Sequence, residues 1–183
     1  MSDHVNIEND KVTVPYYAVH KDGLIAGFFG IFRFLSNFYI LEDGIWFEEL
    51  TYPSVEHAYQ ASKWPPFGTH LYEGNKTASR EAFLDIPAWE AKELGKLAPK
   101  FNKKKWEKRK MPIMAALVRQ KFDKNYKLRQ MLCETEGFQL EERNNWGDKF
   151  WGTDVDGVGE NNLGKILMDV RDTLKMVEKG EAF

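Results

Sequence analysis

Glu56, Gln60 and Lys63 stand four and three residues apart in the segment YPSVEHAYQASK, residues 52–63. At 3.6 residues per turn this spacing of i, i+4 and i+7 aligns a carboxylate, an amide and an ammonium on one helix stripe. Such a set can face a positive charge, hydrogen-bond a neutral group and attract an anion. The segment carries the punctuation of a short helix. Pro53 suits its approach, Ser54 is a good N-cap, and Pro65 with Pro66 closes it. Val55, Ala58, Tyr59 and Ser62 occupy a neighbouring face that can pack inward. Glu56 falls in the first turn, where the positive end of the helix dipole stabilises its ionised form. A plainer reading makes Glu56 a dipole-complementing surface acid and Lys63 a solvated cation, and spacing alone does not separate the two.

The motifs around this helix carry a resemblance. FLSNFY at residues 34–39, followed by residues 52–63, resembles the first signature of the NADAR superfamily (YbiA-like N-glycosidases). Late in the chain Asp148, Trp151 with Gly152, Gly157, Gly159, Asn161, Leu163 with Gly164, Leu167 with Met168, and Arg171 are similar in order and spacing to the second. The likeness covers about residues 28–175. It implies Glu56 as catalytic carboxylate and Asp148 as second acid, with Trp151 stacking on or walling a base. It also implies Asn37, Lys63 and Asn161 as contacts to ribose or phosphate. Read from residues alone, Asn37 is a turn former, Asp148 a turn residue after Gly147 and Trp151 a core aromatic.

The activity so implied is hydrolysis of the bond between ribose C1′ and a nitrogen. The substrate class is a ribosylamino pyrimidine phosphate of riboflavin synthesis, or ADP-ribose on guanine in nucleic acid. Such a bond breaks through an oxocarbenium-like state, which calls for a carboxylate near the developing charge, an activated water and a proton for the leaving nitrogen. No cofactor is required. The contrasting class is a non-hydrolytic module that binds ADP-ribose or a nucleotide.

With 183 residues, 43% of them hydrophobic and 14% aromatic, the chain can fill one core and is short for two. The expectation is a single, mostly helical α+β domain with a small antiparallel sheet over residues 12–178, between tails at 1–11 and 179–183. A net charge of −2 excludes a polycation that coats nucleic acid. Basic character is local, in KFNKKKWEKRK, which Lys100 opens and Lys110 closes. This run is a solvated face or a contact for phosphate or ADP-ribosylated nucleic acid, with Trp106 as a stacking plane. In the resembled family an acidic residue precedes this tryptophan, whereas here it is Lys105.

Cys133 is the only cysteine, which suits a reducing cytoplasm, and the four histidines lack ligand spacing, so no metal site is expected. Asp154, Asp156 and Gly157 lack the remaining ligands of a calcium loop. No apolar span long enough for a membrane helix is present.

In order, residues 12–19 read as an irregular strand, Lys21, Asp22 and Gly23 as a turn, and the alternation of Phe32 and Phe34 as strand. Glu42, Asp43 and Gly44 read as a hairpin turn before a strand with Ile45 and Phe47. Short helices are expected over residues 77–83 and 87–97, the latter with Trp89, Leu94 and Leu97 inward. Pro112 suits the first turn of a new helix. Another short helix covers residues 128–132, and Phe138 and Leu140 begin a strand. The glycines from 147 to 159 suit close backbone approach to a ligand. A final helix capped by Asn161 or Asn162 buries Leu163, Ile166, Leu167, Val170, Leu174 and Val177 and offers its first N–H groups to phosphate.

Overall fold

A computed structural model describes residues 15–66, 71–73, 76–99 and 101–180. These form two compact units. One combines the chain up to Ser36 with residues from Gln130 onward, and the other runs from Asn37 to Arg129.

In the first unit, β1 (Val19–Lys21) and β2 (Leu24–Ala26) make an antiparallel hairpin. Its turn places Asp22 and Gly23 in succession at φ 52° and 74°, the paired left-handed geometry that matches strand twist. β2 also pairs in parallel with β7 (Gln139–Glu141), so the sheet is mixed where an antiparallel one is expected. Residues 12–14 of the expected first strand lie outside the described residues. Phe32 and Phe34 belong to a 3-10 helix, Gly30–Leu35, instead of a strand. Gly27, at φ 72°, interrupts extended backbone just ahead of it, and Gly30, at φ 57°, is its first residue.

The last helix of this unit covers Asn162–Glu178 and lies against β7. Leu163, Ile166, Leu167, Val170 and Leu174 are buried as expected, whereas Val177 is 49% exposed in the final turn. The approach of helix to strand is set by Gly164: a Cβ there would lie 2.1 Å from the Leu140 carbonyl oxygen.

The second unit opens with the hairpin β3 (Ile45–Phe47) and β4 (Leu50–Tyr52). The residues that turn it are Glu48 and Glu49, at φ 42° and 73°, and not the expected Glu42, Asp43 and Gly44, whose bend feeds β3. Arg80, 2% exposed, ion-pairs with Glu48 and donates twice to the Trp64 carbonyl, at 3.1 and 2.7 Å. The turn is therefore anchored by a side chain that no local pattern announces.

Helix α1 (Val55–Ala61) follows, with the Ser54 hydroxyl accepting from the His57 backbone N–H as its cap. Every residue of α1 is buried. After the hairpin β5 (Leu71–Glu73) and β6 (Lys76–Ala78), a 3-10 helix covers Arg80–Phe83, so the first two residues of the expected helix over 77–83 belong to a strand.

Helix α2 (Ala88–Gly95) buries Ala88, Ala91 and Gly95, while Trp89 and Leu97 are 63% and 71% exposed. Small side chains face inward because α2 packs closely on α1, leaving no room for the tryptophan there.

Helix α3 is one continuous element, Lys103–Lys124, with Pro112 inside it and not at a new start. An interior proline costs about 3 kcal/mol. Packing on both sides of it offsets that: Trp106 packs against Tyr59 with the rings tilted, and Met114, Leu117, Val118 and Phe122 are buried beyond. Helix α4 (Tyr126–Cys133) continues into the first unit, whose last helix, Asn162–Glu178, is α5. Among the described residues no helix is long and apolar enough to cross a membrane.

Candidate active site

The stripe on α1 is a hydrogen-bonded chain. The Gln60 amide donates to Glu56 Oε1 at 2.7 Å, and the Lys63 ammonium donates to Gln60 Oε1 at 2.5 Å. Glu56 and Gln60 are 6% and 5% exposed, which removes the solvated-surface reading of this acid. A carboxylate out of water is costly unless hydrogen-bonded, and Glu56 combines the Gln60 donor with the favourable end of the helix dipole. The Lys63 ammonium lies 5.5 Å from the Tyr59 ring centre and 5.6 Å from that of Trp106, a cation–π arrangement that fixes its position.

Two neighbours complete this arrangement. The Asn37 carbonyl accepts from the Glu56 backbone N–H at 3.0 Å, tying the 34–39 motif to the start of α1. Its side chain is 8% exposed. Nδ2 donates to the Met114 sulfur at 3.3 Å, while Oδ1 is buried with no hydrogen-bond partner among the described residues. Beyond Lys63 lies a cavity of about 260 Å³ lined by Lys63, Gly95, Lys96, Phe101, Lys103, Trp106 and Glu107.

His57 was not singled out by sequence, yet it is fully buried beside Glu56. Its Nδ1 is 2.7 Å from the Ser54 hydroxyl and its Nε2 is 2.7 Å from the Ile86 carbonyl, so it braces α1 from within. Burial pushes its pKa below the ordinary value, opposed in part by the bond to Ile86. The unfolded chain therefore takes this proton more readily than the folded one. The stabilisation is complete above about pH 6.5 and is lost as pH falls from there toward the depressed folded value. Urea midpoints are expected to fall more steeply below about pH 6.5 for the wild type than for His57→Gln, by at most about 1.36 kcal/mol per pH unit for one proton. Parallel profiles would exclude His57 as the source.

The other sequence-predicted residues lie in the first unit. Asp148 Oδ1 accepts from the backbone N–H groups of Phe150 and Trp151, at 3.2 and 2.9 Å, so Asp148 shapes its own turn. Trp151 is half-buried and meets Phe150 edge to face at 4.9 Å. Asn161, left-handed at φ 52°, precedes α5 without capping it through its side chain. Its amide instead latches β7, donating to the Leu140 carbonyl at 2.9 Å and accepting from the Glu142 N–H at 3.0 Å.

The expected phosphate receptor at the start of α5 is also occupied by protein. The N–H groups of Asn162 and Leu163 donate to the carbonyls of Phe150 and Trp151. At Gly152 and Gly159 the close approach is likewise to the chain's own backbone: a Cβ would lie 1.9 Å from the Glu142 carbonyl oxygen and 2.3 Å from that of Gly152. Among the described residues no group of three or more His, Cys, Asp or Glu side chains could hold a metal ion.

Comparison with known proteins gives the arrangement its relatives. The chain is 32% identical over 134 residues to an N-glycosidase of Nostoc punctiforme, covering 72% of this chain and 80% of that protein. It is 32% identical over 124 residues to N-glycosidase YbiA of Escherichia coli, covering 68% and 71%. It is 34% identical over 142 residues to a riboflavin biosynthesis protein of Vibrio vulnificus, covering 78% of this chain but only 35% of that longer protein. The NMR structure of Escherichia coli YbiA superposes with a TM-score of 0.68 at 28% identity, over 92% of this chain and 94% of that one. The NADAR domain model matches residues 28–175, the span that holds both the α1 chain and the Asp148 turn, and the protein belongs to the NADAR family.

Proposed function

We propose that the protein is an N-glycosidase that hydrolyses the bond between ribose C1′ and a nitrogen in a ribose-phosphate or ADP-ribose conjugate. The observation that carries this reading is the buried Glu56 carboxylate clamped by the Gln60 amide. As the C1′–N bond breaks, its electron pair leaves with nitrogen and positive charge develops over C1′ and the ring oxygen. Glu56 opposes that charge in a water-poor setting, where such an interaction is worth more than in bulk solvent. Water adds its oxygen to C1′, one of its protons is shed, and the leaving nitrogen gains a proton.

Asn37 Oδ1 is suited to accept a ribose hydroxyl. For Asp148 as second acid, Trp151 as an aromatic facing the base and Asn161 as a ribose or phosphate contact, the support is their motif positions. The names of the relatives, N-glycosidase and riboflavin biosynthesis protein, favour the reaction class and are compatible with a ribosylamino pyrimidine phosphate. ADP-ribosylated nucleic acid remains a second substrate proposal, with the exposed Lys104, Lys105, Lys108 and Arg109 of α3 as its contact.

The test is incubation with a ribosylamino pyrimidine phosphate and, separately, with DNA carrying ADP-ribosylated guanine, each with and without EDTA, with mass detection of products. Release of the base from one of them, unaffected by EDTA, is expected. Tight binding with neither bond cleaved would make the protein a nucleotide-binding module. Loss of turnover in EDTA, restored by one metal, would overturn the metal-free mechanism.

A further inference from the structure

The cavity next to Lys63 has charges that are unequally committed. Lys96 pairs with Glu93 at 2.6 Å, and the one acid of the lining, Glu107, pairs with Lys110 at 2.7 Å. Lys63 donates to Gln60. Lys103 enters no ion pair among the described residues. It is also the first residue of α3, followed by Lys104 and Lys105, with no acid in that turn. Cations at this end oppose the helix dipole. An anion seated in the cavity reverses the sign of both effects, since it meets the ammonium groups and the positive helix end together.

The remaining walls point to what the anion is attached to. Trp106 and Phe101 line the same space, their ring centres 5.9 Å apart, and offer apolar surface to a ring. Lys63 joins the cavity to Gln60 and through it to Glu56, so an anion here lies at one end of a hydrogen-bonded chain that ends at the carboxylate.

We propose that this cavity holds the phosphate end of the substrate, with Lys103 as its principal anion-binding residue and Lys96 as a second, and that these two lysines set a preference for phosphorylated over unphosphorylated ribosides. This rests on the N-glycosidase reading and extends it. The shared chemistry is phosphate on ribose, whose source is a monophosphate ester or a diphosphate.

Calorimetric titration of the full chain with ribose 5-phosphate, ADP-ribose and unphosphorylated ribose tests this, using wild type, Lys103→Gln, Lys96→Gln and, as a control remote in sequence, Lys127→Gln. Lys103→Gln is expected to weaken at least one phosphorylated ligand on the order of tenfold. Lys96→Gln is expected to weaken it less, and Lys127→Gln not at all. Ribose affinity should be indifferent to all three. The phosphorylated ligand that loses more identifies the source. Equal affinity of wild type and Lys103→Gln for both phosphorylated ligands, or no binding of either to wild type, overturns the proposal. The two readings fail separately. The expected binding pattern without cleavage of any N-ribosyl bond sinks the N-glycosidase and leaves the anion site. Hydrolysis with a KM indifferent to Lys103→Gln sinks the anion site alone.

Discussion

Glu56→Gln is expected to lower turnover about a hundredfold or more while substrate affinity stays near that of wild type. The substitution keeps the volume of a side chain that is 6% exposed and keeps an oxygen that the Gln60 amide can address. It removes the charge, and with it stabilisation that exists chiefly once the C1′–N bond has begun to break. Losing one such preorganised contact typically costs about 3 kcal/mol of transition-state stabilisation. The folded state should hold or gain stability, because an amide is cheaper to bury than a carboxylate. A role confined to structure predicts unchanged turnover. Single-turnover rates and product-analogue affinity on the active substrate separate these outcomes, and undiminished turnover would remove Glu56 from the mechanism.

The second large effect is expected at Gly95, a residue with no chemistry of its own. A Cβ at this position would lie 2.0 Å from Gln60 Oε1, 2.8 Å from its Cδ and 2.9 Å from its Cβ. Alanine favours the helix over glycine by about 1 kcal/mol, but overpacking a close contact costs about 1–3 kcal/mol. The Gln60 side chain must therefore leave its place or α2 must move off α1. Displacement of Gln60 takes its amide donor from Glu56 and its amide oxygen from Lys63. Gly95→Ala is expected to lower turnover at least tenfold, by analogy with the cost of a lost charged hydrogen bond. Gln60→Ala made in the Gly95→Ala background should restore thermal stability without restoring turnover. Recovery of both would show that Gln60 is dispensable and that Gly95 acts through packing alone.

The α1 chain was legible because its determinants are local. Ser54, the flanking prolines and the i, i+4, i+7 spacing all lie between Pro53 and Pro66. Its burial was not legible, since that depends on α2 and α3 arriving from 30 to 60 residues away. The same limit explains α2. Hydrophobicity alone turns Trp89 inward, whereas close helix packing selects Ala88, Ala91 and Gly95. Glu48 and Glu49 carry none of the usual turn chemistry, and their left-handed backbone follows from the pairing of β3 with β4 and from Arg80. Asn161 shows the converse. Its place at the start of α5 was correct to one residue, yet its amide serves β7, because a left-handed backbone turns the side chain away from capping geometry. His57 left no signal at all, since a lone histidine without ligand spacing looks the same buried or exposed.

The parallel pairing of β2 with β7 bears on how the chain folds as it is made. Leu24 pairs with Gln139, so the second strand of the sheet waits for a partner that is synthesised only after the entire Asn37–Arg129 unit. A contact across so many residues carries a loop-closure cost of about 4 kcal/mol if the intervening chain is flexible, and much less once that stretch is compact. Folding of the inserted unit first, with the α1 chain already in place, thus shortens the search that brings β7 home. Until then β2 presents an unpaired edge to its surroundings. Nascent chains halted between residues 129 and 139 are expected to be the ones most dependent on chaperones.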